Sequence, residues 1–106
     1  MKYYKLEGHT PVPVENIEEF ITWDIGAVRT VALTEIANGI RVSTVFLGVD
    51  HNWSREGSPI LFETMVFGVD NEHQRRYSTW EQAEQGHRDV IKLVTKELRD
   101  GKLSRI

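Results

Sequence analysis

Two long apolar segments, residues 40–49 and 60–69, dominate the pattern of hydrophobic and polar positions along this chain. Both are rich in β-branched and aromatic residues, and the polar residues 50–59 separate them. A third such segment, residues 28–36, precedes an Asn-Gly dipeptide, which is typical of a tight β-hairpin turn. The pattern therefore predicts a two-stranded hairpin that is followed, after a loop, by a third strand.

The register of the hairpin depends on its turn. Asn-Gly forms either a two-residue type I′ turn or part of a three-residue loop with Gly39 left-handed. Pairing Ile36 with Ile40 places Glu35 opposite Arg41, an attractive cross-strand pair, so we favour the three-residue loop. One face of the hairpin then carries Thr30, Ala32, Thr34, Ile36, Ile40, Val42, Thr44 and Phe46.

The third strand is apolar on both sides, so it is expected in the middle of a sheet with both faces at least partly covered. One helix is predicted before these strands along the chain and another after them. Residues 14–23 place Val14, Ile17, Phe20 and Ile21 on one stripe. The second helix is long, with Ser78 as N-cap and Glu81 completing a capping box, and with Gly101 as its stop. Its apolar stripe is Trp80, Ala83, His87, Val90, Ile91, Val94 and Leu98.

A short edge strand in residues 2–7 completes the predicted element order, (β)αβββα. The fold class is α+β: an antiparallel β-sheet of three to four strands with the long C-terminal helix packed on one face. The whole chain, residues 1–106, is expected to form a single domain, because 106 residues with 40% hydrophobic content suit one core.

Composition excludes several classes of function. The chain has no cysteine, which excludes disulfides, a thiol nucleophile and a thiolate metal site. Its net charge of −3 with 27% charged residues produces no strong field, so a nucleic-acid partner is disfavoured. It lacks an apolar signal segment near its start and any segment long enough to span a membrane, so a cytoplasmic location without membrane contact is expected.

Three sequence strings resemble a family of small uncharacterised proteins that phage and prophage genomes encode. They are VSTVFLGVDH at residues 42–51, LFETMVFG at residues 61–68 and RYSTWEQAEQGH at residues 76–87. The resemblance covers residues 10–87, and the chain departs from it at residues 54–59, where a loop richer in glycine and proline is expected. It implies the cytoplasm of an infected or lysogenised bacterium as the setting and implies no mechanism.

The loop after the second strand carries the first candidate site residues. Asp50 and His51 can share a proton or ligate a metal, and Trp53 follows them at the same strand end. The alternative is a simple turn in which Asp50 bonds backbone amides of its own loop and His51 is solvated. The string around Asp50 is repeated around Asp70, but consecutive antiparallel strands put these two residues at opposite ends of the sheet. Ordinary strand-exit turns are therefore favoured over a duplicated site.

The third strand and the last helix carry three more candidates. Glu63, next to Thr64, lies inside an apolar strand, so it is either solvent-facing or paired, with Arg41, the Thr64 neighbourhood or His51 as partner. His87 lies in the apolar stripe of the last helix. A satisfied core histidine, bonded to a backbone carbonyl or to Glu63, is favoured there over a ligand or an acid/base residue.

Arg75, Arg76 and Tyr77 precede the last helix, and the two guanidiniums form a candidate anion site with the helix amides. A solvated loop is the favoured interpretation. The sequence contains no glycine-rich phosphate loop, nucleophile elbow, dinucleotide fingerprint or helical metal-ligand spacing, so no catalytic residue, metal or cofactor is predicted.

Three hypotheses remain. The leading one is a noncatalytic phage accessory protein that binds a host protein or a small ligand at the sheet end and the 50–59 loop. The second is a metal-assisted or acid/base hydrolase that uses Asp50, His51, Glu63 and His87, which requires these side chains to converge. The third is a self-associating structural module, and a homodimer is expected because one long helix leaves a sheet face to cover.

Overall fold

The computed structural model describes residues 2–54, 56–71 and 73–106. Arg55, part of the 50–59 loop, lies outside the described residues. The fold is α+β, as predicted, and none of the described helices is long and apolar enough to cross a membrane. The elements are β1 Tyr4–Glu7, β2 Thr10–Pro13, α1 Ile17–Asp24, β3 Thr30–Ala37, β4 Ile40–Phe46, β5 Phe62–Phe67, β6 Gln74–Tyr77 and α2 Trp80–Arg99.

The main sheet has four antiparallel strands in the order β3-β4-β5-β6. Glu35 pairs with Arg41 and Gly39 is left-handed, with φ 82°, as predicted, but the predicted three-residue loop is wrong, because only Asn38 and Gly39 separate the two strands. Ile40 pairs with Ala37 rather than Ile36, because the register shifts between Glu35 and Ala37. A second shift between Thr30 and Ala32 turns Thr30 to the opposite face from the one predicted.

Two strands were not predicted. β6 is four residues long and polar, so it has no alternation of apolar side chains to mark it. β2 contains Pro11 and Pro13, and prolines argue against a strand unless it lies at an edge. β2 is such an edge: it pairs only with β1, in a separate two-stranded sheet.

The helix α2 covers one face of the main sheet, called here the inner face. It buries Ala83, His87, Val90 and Val94 of the predicted stripe, while Trp80, Ile91 and Leu98 are half-buried. Its N-cap is Thr79, and Thr79 and Gln82 form the capping box, one residue later than predicted. Both Ser78 and Thr79 are good caps, so the sequence alone does not separate them. At the other end Gly101 is left-handed, as predicted, and its amide bonds the Leu98 carbonyl at 3.3 Å.

The other face of the sheet, called here the outer face, has no helix packed on it among the described residues. β5 lies in the middle of the sheet as predicted, with Phe62, Thr64 and Val66 buried on the inner face. On the outer face Met65 is half-buried and Phe67 is exposed, so cover there is incomplete.

The helix α1 contributes less to the core than its sequence predicts. Of its predicted stripe only Phe20 is buried, between the rings of Tyr3 and Trp23, whereas Ile17 and Ile21 are exposed. The reason is that the β1–β2 hairpin covers part of the core in place of α1. Tyr4 and Leu6 of this hairpin pack against the core cluster that contains Phe46 and Phe62.

The two repeated Gly-Val-Asp strings form backbone bridges with residues near the two ends of the chain. At one end of the sheet Val49 bridges Tyr3, and at the other end Val69 bridges Arg105. The carboxylate of Asp70 accepts the Ser104 amide at 2.9 Å, while Asp50 bonds amides of its own loop. The repeat is therefore strand-exit structure that recurs at opposite ends of the sheet, as the sequence favours.

Candidate functional site

A groove of about 430 Å³ lies where the N-terminal segment meets the loop that follows β4. Backbone pairing joins these distant parts: the Tyr4 amide donates to the Gly48 carbonyl at 2.8 Å, and the Asp50 amide donates to the Lys2 carbonyl at 3.1 Å. The lining residues are Lys2, Tyr4, Asp50, Asn52, Trp53, Ser54, Gly57 and Pro59. Two of them, Asp50 and Trp53, are sequence candidates.

Two side chains shape the loop wall of the groove. The Asp50 carboxylate accepts the Asn52 amide at 2.8 Å and the Ile60 amide at 2.9 Å, which closes both ends of the loop. The side-chain amide of Asn52 donates to the Ser58 carbonyl at 2.8 Å and to the Glu56 carbonyl at 3.0 Å. Asp50 therefore takes the turn role, and the loop has internal hydrogen bonds that hold its shape.

Replacing Asp50 by alanine is expected to destabilise the protein by about 1–3 kcal/mol, because two half-buried backbone amides lose their acceptor. Asp50→Asn is the matched control, since its amide oxygen still accepts both bonds and most of the stability should remain. Urea unfolding of the two variants measures the difference. Equal loss in both would contradict a role based on hydrogen-bond acceptance.

Trp53 lines the groove, and His51 lies beside its ring. The His51 ring donates from Nδ1 to the Val49 carbonyl at 2.8 Å, which makes Nε2 the acceptor atom of the neutral ring. Its centroid lies 5.8 Å from the ring of Trp53. His51 is half-buried rather than solvated, whereas Trp53 is 71% exposed. The indole is therefore the largest apolar group available at this end of the sheet.

Tyr4 forms part of the opposite wall. Burial raises the pKa of its phenol above the usual value, and the nearby Asp50 carboxylate raises that pKa further. The Tyr4 hydroxyl therefore stays protonated at neutral pH and remains a hydrogen-bond donor. Lys2 and Tyr4 escaped the sequence analysis because no local pattern signals a wall built from residues so far apart along the chain.

Glu63 is paired on the outer face of the sheet. Its carboxylate accepts from Arg76 Nε at 2.9 Å and from Gln74 Nε2 at 2.7 Å. The predicted partners, Arg41, the Thr64 neighbourhood and His51, are wrong, because the unpredicted strand β6 brings Arg76 directly across from Glu63. The ion pair agrees with the second of the two alternatives for Glu63, a carboxylate that is paired.

The proposed anion site before α2 is not assembled. Arg75, Arg76 and Tyr77 follow one another on a strand, so the side chain of Arg76 points to the opposite face of the sheet from those of Arg75 and Tyr77. Arg76 bonds Glu63 on the outer face, while the Tyr77 hydroxyl donates to Thr64 Oγ1 on the inner face at 3.1 Å. The segment is a strand rather than the solvated loop that was favoured.

His87 stands in a buried chain of hydrogen bonds beneath α2. It is 4% exposed, with Nε2 lying 2.9 Å from Thr34 Oγ1 and Nδ1 lying 2.7 Å from Thr44 Oγ1. Thr44 Oγ1 in turn lies 2.5 Å from Thr64 Oγ1, which accepts from Tyr77. His87 is thus a satisfied core histidine, but its partners are threonine hydroxyls instead of a backbone carbonyl or Glu63.

The distances leave donor and acceptor open at Thr44, but every proton in this chain has an acceptor when the bonds run in one direction. In that arrangement Tyr77 donates to Thr64, Thr64 donates to Thr44 and Thr44 donates to Nδ1 of His87. Nε2 then carries the ring proton and donates to Thr34. Burial lowers the pKa of His87 below its usual value, and the neighbouring Arg88 guanidinium lowers that pKa further, so the ring is neutral near pH 7.

The four side chains of the hydrolase hypothesis do not converge. Asp50 lines the groove and His51 bonds the Val49 carbonyl next to it, whereas Glu63 lies on the outer face with Arg76 and His87 lies on the inner face. Within residues 2–54, 56–71 and 73–106, no group of three or more His, Asp or Glu is placed to hold a metal ion. The groove brings the polar candidate Asp50 and the aromatic candidate Trp53 together in one concave surface.

Comparisons with models of protein families, with curated proteins and with solved structures find no match to this chain.

Proposed function

We propose that this protein is a noncatalytic binding module that holds a segment of another protein in the groove between the N-terminal segment and the 50–59 loop. The observation that carries the proposal is Trp53, a large aromatic residue with 71% of its surface exposed at the rim of a groove. Buried tryptophans are frequent anchors of protein interfaces, because they remove much apolar surface from water.

The loop supports Trp53 without needing a partner. The hydrogen bonds of Asp50 and Asn52 fix the loop backbone on both sides of the indole. A preorganised loop loses little conformational entropy on binding, which favours affinity. These same bonds occupy Asp50 and Asn52, so their part is structural.

The remaining lining groups indicate the chemistry of the partner. Lys2 supplies a cation and Tyr4 a hydroxyl donor on one wall, opposite the apolar surface of Trp53 on the other. This arrangement suits a peptide segment with an apolar side chain for the indole and an acidic or carbonyl oxygen for Lys2. The groove is open to solvent, which suits a protein segment better than a small ligand that a site must enclose.

The resemblance to phage and prophage proteins supports a protein of the bacterial host as the partner, bound in the cytoplasm. An accessory protein that occupies a host factor needs a binding surface and no catalytic machinery, which agrees with the scattered positions of the titratable candidates.

Trp53→Ala is expected to weaken binding of the host partner by about tenfold or more, the effect of losing an interface anchor. The protein is used as bait in a lysate of the bacterial host, and a captured protein is purified and titrated calorimetrically against wild type and variants. Trp53 is largely exposed, so the free energy of unfolding should stay near that of wild type.

The matched control is Ile25→Ala, which removes another exposed apolar side chain, 84% exposed, beyond the end of α1. It should leave the affinity unchanged. A captured protein that binds wild type and Trp53→Ala equally well, or that loses affinity equally with Ile25→Ala, would contradict the groove as the binding site.

A further inference from the structure

The strand β3 is an edge of the main sheet that lacks the features by which the other edges are protected. It has eight residues with one charge, Glu35. The edge strand β6 has only four residues, two of them arginines, and β2 carries two prolines. Short length, positive charge and proline all discourage further strand pairing, so β3 is the edge that remains suited to it.

The register identifies the backbone groups that this edge presents. The Leu47 amide bonds the Leu61 carbonyl at 2.7 Å, so alternate residues of β4 bond towards β5. The residues between them bond towards β3, as the Phe46 amide does to the Arg29 carbonyl at 2.8 Å. Thr44 and Val42 therefore bond Ala32 and Thr34 across the pair.

It follows that the amides and carbonyls of Leu33 and Glu35 point away from β4, out of the sheet edge. Register shifts bound this regular stretch on both sides, between Thr30 and Ala32 and between Glu35 and Ala37. The Leu33 side chain is 60% exposed on the outer face. An exposed leucine and two outward amides thus coincide in the regular stretch of this edge, between the two register shifts.

We propose that a second copy of the chain pairs with this edge, β3 against β3 in antiparallel orientation, about a two-fold axis at Thr34. Leu33 of each copy then exchanges both backbone hydrogen bonds with Glu35 of the other, giving four bonds in all. The two Thr34 residues face each other across the axis on the inner side. The two four-stranded sheets become one continuous sheet of eight strands.

The edge is self-complementary, which supports a second copy as the occupant. The alkyl part of Glu35 covers Leu33 of the opposite copy on the outer face. The charge of Glu35 is accommodated within its own copy, where Arg41 lies across from it and the Gly39 amide bonds its carboxylate at 3.2 Å. The pairing also joins the outer faces, so that Leu33, Val45, Met65 and Phe67 of both copies share one side of the sheet.

Hydrogen exchange and sedimentation test the proposal together. Sedimentation should show a concentration-dependent dimer in the micromolar range. In exchange measured by NMR, the amides of Leu33 and Glu35 should gain protection as concentration rises, because the pairing gives each of them a carbonyl acceptor. The amides of Ala32 and Thr34, already bonded to β4, should change little. A dimer that leaves the Leu33 and Glu35 amides unprotected would place the interface elsewhere and overturn the proposal.

Two variants that place opposite charges at residue 33 provide a sharper test. In the proposed register residue 33 lies across from Glu35, so Leu33→Glu places like charges together twice and should weaken the dimer by roughly tenfold or more. Leu33→Lys places opposite charges there and should remain dimeric. Ile21→Glu, at an apolar position 50% exposed on α1, is the control and should dimerise like wild type.

Circular dichroism checks that each variant is folded. If a variant does not fold, exchange at the Leu33 and Glu35 amides of the wild-type protein still tests the proposal. Equal loss of dimer in Leu33→Glu and Leu33→Lys, or a wild type that stays a 12.3 kDa species throughout, would overturn the proposal. Loss of the dimer in Ile21→Glu would show that the interface includes α1 and would contradict pairing through β3. Binding at the Trp53 groove is measured separately, so either proposal can fail alone.

Discussion

Replacing Gly68 by alanine is expected to destabilise the protein by about 4 kcal/mol or more, a loss that removes much of the stability of a small domain. Gly68 has φ 91°, a conformation that side chains rarely adopt. A Cβ atom there would overlap the carbonyl oxygen of Gly39, in the β3–β4 turn. The obstacle is backbone, so the hairpin turn or the end of β5 would have to move.

Gly101→Ala is the matched control for this prediction. Gly101 also has a positive φ, 73°, but a Cβ there meets no atom within 4 Å. It should lose only the cost of the left-handed conformation, about 1–2 kcal/mol. Urea unfolding of both variants separates the two causes, and similar losses in the two would show that close packing at Gly68 adds nothing.

The close approach of Gly68 to Gly39 is an example of a contact that the sequence does not predict. The hairpin turn and the exit of β5 are each marked locally by glycine, but their contact joins residues far apart along the chain. Local patterns identified α2, the β3–β4 hairpin and the central position of β5. They missed β6, because its four residues are polar, and β2, because its prolines are unusual in a strand.

Of the candidate site, as of the fold, the sequence predicts one part and misses another. The loop containing Asp50 and Trp53 was identified from its position at a strand end, whereas the wall formed by Lys2 and Tyr4 depends on long-range pairing. The partner of Glu63 was missed because it lies on the unpredicted strand β6. A sequence shows which residues are unusual for their segment, while their partners follow from the packing of distant strands.

His87 illustrates this division. Its place in an apolar stripe predicts a buried histidine, and the alternation along the hairpin puts Thr34 and Thr44 on the same sheet face as the apolar core residues. That α2 crosses the sheet where those hydroxyls lie was not predictable from either segment alone. The resulting chain of four hydrogen bonds gives the last prediction.

Acidification is expected to destabilise the protein through His87. The pKa of His87 is lowered in the fold, first by burial and then by Arg88, whereas in the unfolded chain it is near the usual value of 6.5. Below about pH 6.5 the unfolded chain takes up a proton that the folded protein excludes, so stability falls with pH until the folded pKa is passed. Above that range the contribution of His87 is fully present.

The hydrogen-bond chain gives a reason for this exclusion beyond burial. A protonated ring donates from both nitrogens, so Thr44 would have to turn its hydroxyl away from Nδ1 and towards Thr64. Thr64 would then receive two donors, from Thr44 and Tyr77, and its own proton would need a new acceptor. In a buried site such an unpaired donor costs about 1–3 kcal/mol.

Urea unfolding of wild type, His87→Leu and His87→Gln at pH 5.5 and pH 8 tests the prediction. Both variants should lose the part of the pH dependence that belongs to His87. His87→Leu should also lose about 1–3 kcal/mol at pH 8, because Thr44 and Thr34 lose their shared partner. His87→Gln, which keeps a donor and an acceptor without titrating, should lose less.

The control is His9→Gln, which replaces an exposed histidine whose ring stacks on Trp80 with 3.8 Å between the centroids. Like His87→Gln it removes one titratable ring, but it leaves the buried chain intact, so it should keep the His87-dependent change between pH 8 and pH 5.5. A wild-type pH dependence that persists unchanged in both His87 variants would show that the buried ring does not resist protonation, and the directed chain from Tyr77 to Thr34 would then lose its support.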